Sequence, residues 1–186
     1  KLSFEESSHR EKAIFSNYKH LASLYEFDKA PQFLRFGFNH LKKDREGDHV
    51  SFFTMLSEDN IYKRDQIVSV LGYLTDSHVL WNLIYDDNRK YKSYRTEGGY
   101  GIGDYEKEYF RGIDNLKKNK ISDITLFRLN GKNTPYNDGN PNLIEVIMTD
   151  EKSNGDLVKG KSTTDFLDYA VLISNSKANR PIQEMK

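Results

Sequence analysis

PQFLRFGFNHLKK, residues 31–43, decides how the rest of the chain is read. Phe33, Leu34, Phe36 and Phe38 form a short apolar run between Pro31 and the Lys42-Lys43 pair. An apolar run bounded in this way predicts a buried strand. Gly37 stands near its end, and Asn39 and His40 follow at once. In open α/β sheets, ligands bind beyond the carboxyl ends of strands. His40 is therefore expected at the rim of a concave site, with its imidazole open to solvent. Gly37 removes a side chain where backbone or ligand would come close.

On the N-terminal side, residues 4–25 predict a helix, with Ile14, Tyr18, Leu21, Ala22 and Tyr25 at helical spacing. Ser3 would cap it, and Glu6 would close a capping box. On the other side, residues 42–48 are a charged connection. A short helix is expected from about Asp48, carrying Val50, Phe53 and Leu56. IVSVLGY, residues 67–73, predicts a central strand. VLWNLI, residues 79–84, is a strand or a buried helical turn, and residues 86–95 are polar, tyrosine-rich and exposed.

GGYGIGD, residues 98–104, is the one glycine cluster, and it leads toward a helix expected over 104–118. Its spacing is neither the dinucleotide fingerprint nor the Walker pattern. It predicts a mobile loop over one edge of the pocket rather than a phosphate cradle. DITLFRL (123–129) and DYAVLIS (168–174) predict strands, with an Asn-, Gly- and Pro-rich turn and a short apolar run between them. Strands alternating with helices predict an α/β fold, a mainly parallel sheet flanked by helices.

A chain of 186 residues makes one domain or a piece of a larger one, and it can bury a core without staples. Lysine plus arginine equals aspartate plus glutamate at 28 each, so no electrostatic footprint for nucleic acid is expected. The absence of cysteine excludes disulfides, thiolate zinc sites and cysteine nucleophiles. No run is long and apolar enough to span a bilayer. Lys1 as first residue predicts a processed or truncated product, with a lean toward export or the cell envelope.

His40 suits the role of general base or metal ligand, or that of a structural residue bonded to a backbone carbonyl. His9, His20, His49 and His78 show no ligand spacing. Asp44, Asp48 and His49 either gather near His40 around a divalent metal or form a solvated charged loop. No serine sits in a Gly-x-Ser-x-Gly elbow. A catalytic His40 predicts that His40→Ala abolishes turnover at nearly unchanged melting temperature. A structural one predicts a stability loss of about 1–3 kcal/mol.

Three stretches carry a resemblance: REKAIFSNYKHL (10–21), FGFNHL (36–41) and FLDYAVLISNSKANRP (166–181). The first resembles a helix in which an Arg-acid pair precedes a small-apolar-x-Asn segment. The second is similar to a strand ending in Gly-x-x-His-Leu or His-Asn-x-His. The third resembles a closing strand that ends in Ala-x-x-Pro. Together they resemble the erythromycin esterase superfamily, with its TraB/TIKI-type and haem-uptake lipoprotein relatives. Phe38 or Asn39 stands where the esterase motif has its first histidine. The family's N-terminal half has no counterpart here, so the resemblance implies that residues 1–186 are a C-terminal half-domain.

What the resemblance implies is a bacterial, esterase-like hydrolase in which His40 or a metal activates water. Arg10, beside Glu11, would clamp a carboxylate or phosphate; otherwise the two make a first-turn ion pair of little worth. Asn39 and Asp168 would complete the ligand site, Asp168 orienting His40 or Arg10 if their strands are neighbours. Two other functions fit the composition: a small molecule such as a porphyrin held against the tyrosines, or an aromatic surface for a protein partner.

Overall fold

The computed structural model describes residues 4–97, 102–139 and 142–185. Helix α1 (Phe4–Tyr25) leads into an extended segment, 31–37, and a 3-10 turn at Phe38–His40. Helix α2 (Phe52–Glu58) precedes strand β1 (Val70–Thr75) and the hairpin β2 (Val79–Tyr85) and β3 (Tyr91–Glu97). Then come β4 (Asp104–Tyr105), β5 (Glu108–Phe110), α3 (Ile113–Asn119), β6 (Ile124–Arg128) and β7 (Val146–Met148). Helix α4 (Thr163–Phe166) and β8 (Tyr169–Ser174) complete the core.

The expected mainly parallel sheet flanked by helices is not what forms. The sheets are small and mostly antiparallel. One contains β1, β8 and β6 in that order, with β1 and β8 parallel and β6 antiparallel to β8. The others are the β2–β3 hairpin and an antiparallel β4–β5–β7 group. The physical reason is the connections. Neighbouring parallel strands need crossovers of a dozen or more residues, usually helical. Here α2 and α3 have seven residues each and α4 has four. The strand pairs β2–β3 and β4–β5 are joined instead by tight turns, as at Asp86, whose side chain accepts from the amides of Asn88 and Lys90.

Strands expected at 67–73, 123–129 and 168–174 are present with shifted ends, and 79–84 is a strand. The expected strand at Phe33–Phe38 is absent. Its chain is extended, but it has no ladder partner among the described residues, and Phe33 is 93% exposed. The helix expected over 104–118 shortens to α3, because Asp104–Tyr105 and Glu108–Phe110 pair as a hairpin. Residues 98–101 of the glycine cluster lie outside the described residues, as does the expected Ser3–Glu6 cap.

Phe52, Leu56, Leu116, Phe166, Leu167 and Leu172 make a fully buried centre beneath the inner face of the β1–β8–β6 sheet. Helix α1 joins it through Tyr18 and Ala22, with Ile14 and Phe15 packed alongside. Leu21 and Tyr25, expected on that face, are 44% and 72% exposed. Their place on the stripe is taken by Glu11, whose carboxylate is fully buried. No helix among the described residues is long and apolar enough to cross a membrane.

Three phenols are sunk in this core. Tyr73 donates to the Leu143 carbonyl at 2.8 Å and Tyr136 to that of Gly112 at 2.9 Å; Tyr18 shares a 2.8 Å bond with Tyr62. Burial pushes all three well above the ordinary value of 10.0, and at Tyr18 the bond to Tyr62 adds to it. Above pH 10 the unfolded chain therefore binds fewer protons than the folded one, and stability falls as pH rises. Alkaline titration should show the final rise of tyrosinate absorbance coinciding with loss of helical dichroism, beyond pH 10. Full ionisation of every tyrosine with the dichroism intact would contradict this packing.

Candidate functional site

His40 ends the 3-10 turn that follows the extended segment, not a strand. Its side chain is 12% exposed. Nδ1 lies 2.6 Å from Oε1 of Glu11, and neither atom has another hydrogen-bond partner among the described residues. Nε2 faces Arg10, whose Nη2 is 3.5 Å away. Arg10 is exposed, so the histidine tip and the guanidinium share one opening to solvent.

The other carboxylate oxygen of Glu11 accepts from the Phe52 amide at 2.9 Å, at the first turn of α2. Ser51, the N-cap, accepts from the Thr54 amide at 3.1 Å. Two of the four orphan amides of that helix end are thus satisfied, one of them from α1. Glu11 is fixed by this bond and in turn fixes His40. The ring of Phe36 flanks the imidazole at 5.7 Å between centroids. A Cβ on Gly37 would make ordinary contact with His40 Cδ2 at 3.7 Å, so glycine here leaves the ring edge uncovered rather than relieving a clash.

Arg10 and His40, thirty residues apart, are brought together. Asn39 is exposed beside them on the same turn. Asp168 is placed elsewhere: it accepts from Lys43 Nζ at 2.7 Å, the Ser69 amide at 2.8 Å and Asn130 Nδ2 at 3.3 Å, and neither His40 nor Arg10 is among its contacts. It pins the start of β8 to the chain entering β1. Asp44 pairs with Lys161 at 3.2 Å, and Asp48 is exposed. No group of three His, Asp or Glu side chains among the described residues has metal-holding geometry.

No known family model, curated protein or solved structure matches this chain. Its chemistry rests on the geometry above. A buried carboxylate behind one imidazole nitrogen selects the tautomer with the proton on Nδ1 and leaves a lone pair on Nε2. With that tautomer Nε2 is the acceptor that faces Arg10 Nη2. Sequence pattern pointed to His40 by its place after an apolar run. Glu11 came to notice only through the resemblance, because a glutamate on a helix gives no pattern signal that it is buried. Lys42 and Lys43 looked like a charged boundary, yet both are buried, Lys42 against Glu46 and the ring of Phe38.

Proposed function

We propose that this chain is a hydrolase-like domain of the esterase kind, related to the erythromycin esterase superfamily, with His40 as general base. The observation that supports it is the Glu11–His40–Arg10 line, buried at the carboxylate end and open at the guanidinium end. Glu11 orients the imidazole. Arg10 releases Nε2 when an anionic group of the substrate draws its guanidinium away. Nε2 then takes a proton from water, which attacks the ester carbonyl. The oxyanion formed rests against Arg10, and the imidazolium returns its proton to the leaving alcohol.

The test is hydrolysis of a panel of esters and lactones by the wild-type chain and by Arg10→Ala. Loss of one charge-assisted contact, about 1.5–3 kcal/mol, should lower kcat/KM for anionic esters by about 10- to 100-fold. Neutral esters should lose less. Absence of any turnover by the wild-type chain would end the proposal, as would equal rates in the variant on every substrate.

A further inference from the structure

Strand β6 stands at one edge of the β1–β8–β6 sheet, and among the described residues β8 is its one strand partner. Bonds at the two ends of that ladder fix which backbone groups face β8. The Ser174 amide donates to the Asp123 carbonyl at 2.7 Å, and the Leu129 amide to that of Asp168 at 2.9 Å. Between them the register sets Thr125 opposite Leu172 and Phe127 opposite Ala170. Bonded and non-bonded pairs alternate along an antiparallel ladder. Asp123, Thr125, Phe127 and Leu129 therefore bond to β8, and Ile124, Leu126 and Arg128 turn their N–H and C=O groups outward. Among the described residues the Ile124 carbonyl alone of these groups has a partner. It accepts from Ser122 Oγ at 2.5 Å, which leaves it a second lone pair.

Exposed strand edges are normally guarded by lysine, proline or a bulge. ITLFR (124–128) has none of these, and its register with β8 runs without a shift. Its one charge, Arg128, stands at the end of the strand. Burial alternates along it, with Ile124 67% and Leu126 62% exposed on the outer face. That face continues in apolar residues through Val171 and Ile173 of β8 to Val70 of β1. A sheet with one face in water normally carries polar residues there.

We propose that two copies of this chain pair antiparallel through β6 about a two-fold axis at Leu126, joining two three-stranded sheets into one. In that register Leu126 bonds to its own counterpart, and Ile124 and Arg128 bond to each other across the axis. Of the antiparallel registers that keep the alternation, it alone overlaps the whole of 124–128. It lays each arginine stem against an isoleucine and sets no like charges opposite one another. A two-fold pair uses up both edges and closes. Lysine plus arginine and aspartate plus glutamate are 28 each, so two copies carry no net repulsion. Five paired residues present an edge of about 17 Å by roughly 10 Å, or about 170 Å² per copy, against the ~800 Å² of a standard interface. Backbone bonds rather than area hold this dimer, and it is reversible. The proposal does not rest on the chemistry at His40.

Sedimentation velocity of the full chain between about 1 µM and about 1 mM should show monomer giving way to dimer. Leu126→Lys and Leu126→Glu should each weaken the dimer at least about tenfold, because like charges then meet at the axis. An equimolar mixture of the two should dimerise again, since opposite charges then face each other. Leu126→Pro removes an outward N–H and leaves the β8 ladder its bonds. It should be monomeric with its helical dichroism retained. If Leu126→Pro fails to fold, the mixture of charge variants decides. The proposal is overturned by a wild-type chain that stays monomeric over the whole range. Charge variants that dimerise as the wild type does overturn it too, as does a mixture no more dimeric than its components.

Discussion

Asp168→Ala should lower the stability of the fold by about 3–5 kcal/mol, the range for removing one partner of a buried ion pair. The Lys43 side chain is 8% exposed and that of Asp168 13%. Lys43 has one other bond, to the Ile67 carbonyl at 3.3 Å. Removal of the carboxylate leaves a buried ammonium without its charge partner and frees the Ser69 amide at the entry to β1. Both losses fall on the parallel β1–β8 pair. Urea unfolding should show a lower midpoint with an unchanged slope. The double variant Lys43→Met/Asp168→Ala should recover part of the loss, because no charge is then left unpaired. A single-variant loss under about 1 kcal/mol would show that the pair is solvated.

His40→Ala should reduce kcat/KM for ester hydrolysis by about 10²- to 10⁴-fold, the span that a positioned general base supplies. It should also cost about 1–3 kcal/mol of stability, because Glu11 Oε1 is buried and would lose its contact with Nδ1. A melting temperature by itself therefore does not separate a catalytic from a structural His40, contrary to what the sequence alone suggests. His40→Gln does separate them. Its amide can donate to Glu11, but it takes up no proton. Full stability with lost turnover assigns the base role to His40; full stability with retained turnover removes it.

Local chemistry made much of the chain legible. Apolar, β-branched runs at 67–73, 123–129 and 168–174 mark strands, since such side chains fit a pleated, half-buried surface wherever it lies. The 22-residue helix α1 announced itself by period. His40 stood out as the residue on which an apolar extended run ends. These features depend on neighbours in sequence, and sequence displays them.

What only the tertiary structure decided was pairing. Residues 33–38 have the alternation of a strand, yet a strand exists only when a second backbone lies beside it, and none of the described residues supplies one. The direction of β6 against β8 follows from connection lengths and packing, not from the composition of either strand. Glu11 reaches His40 because α1 crosses the start of α2, and Asp168 goes to Lys43 because β8 enters the sheet beside Ser69. Burial of a charge is a property of three-dimensional neighbours, and no spacing along the chain encodes it.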